Sequence, residues 1–96
     1  MTYSFIRDVP ATEAQYADVR EAVGEETPKG LVVHLVLRQE HGLRYIDVWD
    51  TEADWERFRD ERLNPVIAET MAKHGITPPT TPPPLQHIEV IHAWVG

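Results

Sequence analysis

His34 and Asp47 are the pair in this chain best suited to proton chemistry, and they sit on two neighbouring apolar runs, LVVHLVLR (31–38) and LRYIDVWD (43–50). A carboxylate beside an imidazole fixes its tautomer and raises its basicity, as a general base requires. Both runs are rich in β-branched and aromatic residues, and the short segment QEHG joins them, so they read as a β-hairpin. Side chains alternate along a strand and cross-strand partners share a face. Even positions of the first run therefore pair with odd positions of the second. A four-residue turn sets His34 directly opposite Asp47, and a two-residue turn sets them diagonally, within reach of a bridging water.

The two faces of the hairpin differ in chemistry. One carries Leu31, Val33, Leu35 and Leu37 with Ile46 and Val48, a plain aliphatic surface expected to lie against helices. The other carries Val32, His34, Val36 and Arg38 with Leu43, Tyr45, Asp47 and Trp49. A half-apolar face with no helix of its own needs a cover, and a second copy of the chain is the simplest one. Apolar walls with a few convergent polar groups also describe a ligand pocket. In the catalytic reading His34 is the base, Asp47 its orienter, Tyr45 a hydrogen-bond donor, and Trp49, Val32 and Val36 the substrate-binding wall. In the structural reading His34 and Asp47 are a satisfied pair at a dimer seam, Tyr45 and Trp49 are core or interface aromatics, and Arg38 is solvated or salt-bridged.

The remaining histidines add little. His92 shares a strand face with Ile88, Val90 and Trp94 and is a further candidate for the same cavity. His87 falls on the opposite face of that strand, His41 in the turn and His74 at a helix end. No pair has helical metal spacing, so no metal site is expected. The chain has no cysteine, which removes disulfides, thiolate nucleophiles and cysteine-bound metals together. No serine elbow, phosphate loop or dinucleotide glycine motif occurs, and no cofactor is expected.

The elements that must position these residues follow from local signals. YSFIRD (3–8) is a first strand, ended by Pro10. Thr12 and Gln15 form a capping box for a helix over about 13–23, with Tyr16, Val19 and Val23 on one side and Gly24 as its C-cap. EETPK is a polar loop. Thr51 caps the next helix, with Asp54 three residues on and Trp55, Phe58 and Leu63 on its apolar side. Asn64-Pro65 is expected to break it, Asn64 capping a second helical piece that Gly75 closes. TPPTTPPP (77–84) is a polyproline-like connector, and HIEVIHAWV is the last strand. The order strand, helix, strand, strand, helix, strand is the ferredoxin-like βαββαβ arrangement, an α+β sandwich whose helices cover one face of a four-stranded antiparallel sheet.

The 96 residues are expected to make one domain, 1–96. Hydrophobic residues at 42% and charged residues at 26% are a globular balance. A net charge of −7 with no basic run disfavours nucleic acid or an anionic membrane as partner and fits better a neutral or weakly charged small molecule, expected to be apolar or aromatic. The N-terminus lacks the pattern of a signal peptide, and the longest apolar run, Leu31–Val33, falls far short of the roughly 20 residues that cross a bilayer, so the expected location is cytoplasmic.

The hairpin GLVVHLVLRQEHGLRYIDVWDT followed by EADWERFRDERLNP resembles the dimeric α+β-barrel superfamily, which includes antibiotic-biosynthesis-monooxygenase-like proteins. The likeness runs from Tyr3 to Trp94, and its most characteristic piece is Asp47-Val48-Trp49-Asp50-Thr51 leading into Trp55 and Phe58. It implies a homodimer paired through the sheets. It also implies a choice among cofactor-free oxygenases, isomerases and cyclases, acting on an aromatic or polyketide-like molecule, and non-catalytic binders. Haem-degrading relatives pair a ligating His with an Asn and a Trp, but Asn64 at a helix break is the chain's one Asn.

Overall fold

In the computed structural model, which describes residues 2–75 and 84–94, four strands form one antiparallel sheet in the order β2-β3-β1-β4. The strands are β1 (Tyr3–Val9), β2 (Leu31–Gln39), β3 (Gly42–Trp49) and β4 (Gln86–Ile88). Each crossover skips a strand: β1 and β2 flank β3, and β3 and β4 flank β1. That is the expected split βαβ topology.

The first helix, α1 (Glu13–Val23), starts on the expected capping box. Thr12 Oγ1 accepts from the Gln15 amide at 3.1 Å, and Gln15 Oε1 accepts from the Thr12 amide at 2.9 Å. Gly24 ends it at φ +92°, a conformation that favours glycine. Thr51 caps α2 (Glu52–Phe58) through the Asp54 amide at 3.1 Å.

Asn64-Pro65 does not break the helix. The chain stays helical through a π-turn (Arg59–Leu63) into α3 (Asn64–Lys73). Proline lacks an N–H and its ring presses on the carbonyl four residues back, and the wider turn removes that conflict. The Asn64 amide bonds to the Arg59 carbonyl, five residues away, and Asn64 itself is helical rather than a cap. Arg62 then reaches the Val23 and Glu26 carbonyls at 3.0 and 3.2 Å and ties the π-turn to the end of α1.

The hairpin turn is Glu40-His41, because Gln39 pairs with Gly42. This two-residue turn sets His34 directly opposite Asp47, the pairing expected of a longer turn. β2 carries a bulge at Val32: Leu31 pairs with Trp49 and Val33 with Val48. The extra residue moves Leu31 off the aliphatic face and into the core beside Trp49.

The largest departure from expectation concerns which face the helices cover. They lie on the mixed face, not the aliphatic one. Phe5 and Trp49 pack on Trp55 of α2 at ring-centroid distances of 4.8 and 5.7 Å, and Tyr16 of α1 meets Tyr45 at 5.7 Å. The buried core is Phe5, Trp49, Trp55 and Leu63, with Val19, Val23, Leu31, Phe58 and Ile67 around it. Flat rings from sheet and helix fill the interlayer space, and the polar groups among them pair with one another, so burial leaves few of them unsatisfied. Leu35 and Leu37, on the aliphatic face, are 51% and 40% exposed.

The last strand is shorter than expected. Pairing with β1 stops at Ile88, and residues 89–94 lie outside the sheet, with Ile91 fully exposed and Trp94 89% exposed. Most of the expected polyproline connector lies outside the described residues.

Candidate functional site

Neighbouring strands aim His34 and Asp47 at each other beneath α1. His34 Nδ1 lies 2.7 Å from Asp47 Oδ1, and the Trp49 indole N–H donates to Asp47 Oδ2 at 3.1 Å. Asp47 is only 5% exposed, so both its oxygens are engaged inside the protein. With Nδ1–H given to the carboxylate, Nε2 is left as an acceptor, and the Tyr16 hydroxyl lies 3.1 Å from it. The result is a chain of hydrogen bonds, Tyr16–His34–Asp47–Trp49, running from the surface into the core. His34 keeps about a third of its side chain exposed (32%), so the chain is open to solvent at the imidazole end.

Tyr45 packs beside this chain, its ring 5.8 Å from His34 and 5.7 Å from Tyr16. Val36 is its cross-strand partner. From the other side Arg7 places its guanidinium 5.1 Å from the Tyr45 ring centre and 5.7 Å from that of Trp55. Arg7 Nε is fully enclosed and has no hydrogen-bond partner among the described residues. Burial pulls the Arg7 guanidinium below its ordinary value, with Asp47 and then Tyr45 pulling the other way.

Of the residues read as a site from sequence, His34, Asp47, Tyr45 and Trp49 come together, with Val36 on the same face. Trp49 is a core residue, 1% exposed, and touches the site through its N–H. Val32 is the bulge residue at the far end of β2. His92 lies beyond β4, exposed, with its ring against Trp94, and does not join the others. Arg38 is ion-paired with Glu13. Two residues were not foreseen. By spacing alone Tyr16 is one of the packing positions of α1. Arg7 is a charged residue in phase with Tyr3 and Phe5 on β1, and that phase is itself a signal.

Burial raises the Tyr16 phenol above its ordinary value, with Arg20 opposing and Asp47 assisting. It raises Tyr45 as well, against the pull of Arg7. Both are neutral donors at physiological pH. A group whose pKa is higher folded than unfolded adds stability that is complete below the unfolded value and lost as pH climbs through the folded one. Stability is therefore expected to decline above the unfolded tyrosine value of 10.0. Spectrophotometric titration is expected to show phenols ionising later in the native protein than in urea. Coincident curves would contradict this.

Two open concavities lie elsewhere. An open groove of about 350 Å³ runs between the β1–α1 junction and the hairpin turn, lined by Pro10, Thr12, Glu13, Arg38 and His41 among others, and a smaller one of about 160 Å³ lies by Ile6 and Leu85. Neither includes His34. Among the described residues no group of three His, Cys, Asp or Glu side chains is placed to hold a metal, and no helix is long and apolar enough to cross a membrane.

Fold and site together define a small α+β protein whose four-stranded antiparallel sheet carries a Tyr–His–Asp chain beneath its first helix. Among solved structures it is similar to the NE2512 protein of unknown function from Nitrosomonas europaea, with a TM-score of 0.57 and 17% identity, over 99% of this chain and 93% of that one. At that identity the likeness concerns the fold. No family model matches the chain, and no curated protein matches it.

Proposed function

We propose that the protein acts on a small enolisable molecule, aromatic or polyketide-like, and that Tyr16, His34 and Asp47 move its proton. The observation that carries this is the Tyr16–His34–Asp47 geometry, with a fully engaged carboxylate behind the imidazole and a phenol in front of it. In the step envisaged, a substrate C–H proton passes to the Tyr16 oxygen while the Tyr16 proton passes to His34 Nε2. The imidazolium is stabilised by the Asp47 carboxylate, and the substrate is left as an enolate. Return of the proton at another carbon completes an isomerisation or cyclisation. Meeting molecular oxygen instead makes the cofactor-free oxygenase chemistry that the superfamily resemblance implies.

The test is deuterium uptake by β-tetralone in heavy-water buffer, followed by NMR. The wild-type protein is expected to accelerate exchange, His34→Gln to lower that acceleration about 100-fold, and Tyr16→Phe to fall between them. No acceleration, or an unaltered rate in His34→Gln, rejects the relay. A second reading draws on the grooves, neither of which includes His34. There the hydrogen-bond chain staples α1 to the sheet, and the protein binds a ligand without turning it over.

We further propose that two copies pair through the aliphatic sheet face. Leu35 and Leu37 are exposed there, and Ile91 and Trp94 are exposed on the C-terminal segment. The expected homodimer thus moves to the face opposite the one read from sequence. Sedimentation is expected to show a dimer that Leu35→Lys converts to monomer, and a wild-type monomer at all concentrations rejects the pairing.

A further inference from the structure

Arg7 is a charged group beside the site that the proton relay does not use. It lies on β1 in register with Tyr45, on the helix-covered face, between the Tyr45 and Trp55 rings. The two rings offset part of the cost of burying a cation. The rings supply no carboxylate or carbonyl acceptor, and Nε has none among the described residues. Asp47 lies one cross-strand row away, opposite Phe5, and both its oxygens are committed to His34 and Trp49. Arg7 is half-buried: its Nε is enclosed, while the two terminal nitrogens of the guanidinium are not and remain open to an anion. An open guanidinium edge held between two rings is a ready place for an anion to dock.

The position relative to the relay is equally specific. Tyr45 separates Arg7 from His34: its ring lies 5.8 Å from the imidazole, and the guanidinium is 5.1 Å from its centre. By strand spacing the Arg7 and His34 Cα atoms stand roughly 12 Å apart. Both side chains reach toward Tyr45, so one bicyclic molecule spans the interval.

We infer that Arg7 is an anion-docking residue, and that the ligand of this face is a planar molecule carrying a carboxylate or an ionised oxygen, bound to the guanidinium with its ring on Tyr45. The inference rests on the His34 face being a ligand site and adds the charge of what it takes. A guanidinium presents parallel donors that fit a carboxylate, so the match is geometric as well as electrostatic.

Isothermal titration with 2-naphthoate and its neutral isostere 2-naphthamide tests it. The wild-type protein is expected to favour the carboxylate at least tenfold. Arg7→Met is expected to bring the ratio to about one, and Arg7→Lys to keep part of it, with native circular dichroism required of each variant. A purely structural Arg7 would weaken both probes alike and leave the ratio unchanged, which overturns the inference. Equal binding of the two probes by the wild-type protein, or binding of neither, also overturns it. His34→Gln is expected to keep the carboxylate preference. An anion preference with no deuterium exchange therefore refutes the relay and leaves Arg7 standing, and exchange without the preference does the reverse.

Discussion

Asp47→Ala is expected to destabilise the protein by about 3 kcal/mol, lowering the melting temperature by about 15 °C. The carboxylate is 5% exposed and accepts from two side chains at once, His34 Nδ1 and the Trp49 indole. Its removal strands the Trp49 N–H inside the core, where an unmade hydrogen bond costs about 1–3 kcal/mol. It also frees the imidazole to rotate and removes a carboxylate whose charge favours the protonated Arg7 guanidinium. Asp47→Asn keeps the volume and one good acceptor, and is expected to cost roughly half as much. Urea denaturation of the three proteins at neutral pH measures the series. An Asp47→Ala protein as stable as the wild type would show that the chain of hydrogen bonds contributes nothing to the fold.

Trp55→Ala is expected to have the larger effect, about 4 kcal/mol, because it empties the centre of the core. Trp55 is 2% exposed and meets Phe5 at 4.8 Å, Trp49 at 5.7 Å and Phe58 at 6.4 Å. It also lies beneath the Arg7 guanidinium. A domain of this size has only about 5–10 kcal/mol to lose, so the variant is expected to be partly unfolded at 37 °C. Trp55→Phe should behave differently. Among the described residues the indole Nε1 is buried without a partner, so the phenyl ring gives up area and also sheds an unsatisfied donor. The net cost is expected to be about 1 kcal/mol. Thermal melts followed by far-ultraviolet circular dichroism separate the two. Equal losses for Ala and Phe would mean that the indole N–H is satisfied in solution.

These two residues also mark how far the sequence was legible. Local signals were reliable where the chemistry is local. Thr12 with Gln15, Thr51 with Asp54, Gly24 and the hairpin itself are readable, because each rests on contacts between near neighbours, while the turn length left His34 either opposite Asp47 or diagonal to it. Alternation showed that His34, Tyr45, Asp47 and Trp49 share a face. It could not show which face the helices take, since that depends on the shapes brought by α1 and α2. The aliphatic face looked like core by hydropathy alone. The rings of Trp55, Phe58 and Tyr16 fit against Phe5, Trp49 and Tyr45 instead, and the inward polar groups found partners there. The Val32 bulge was invisible for the same reason, because it answers to the register of both strand ends. Pro65 was read as a stop because a π-turn has no signature in composition. Tyr16 was hidden as one more apolar helix position, and only the cross-element contact with His34 singles it out.

The strand order carries a consequence for how the chain finds this structure. β2 and β3 are neighbours in sequence and close through a two-residue turn, so the His34–Asp47 pair is made within one local hairpin. β1 joins β3 only after α1 and the whole of β2 have been synthesised, and β4 joins β1 across most of the chain, Ile6 with Gln86. Closing loops of that length costs entropy before any contact rewards it, and pairings between distant segments slow folding. The hairpin with its polar pair is therefore the natural nucleus. Arg7 enters with β1 as the second layer assembles, and the three-residue β4 docks last and is the first strand to detach when the native state opens.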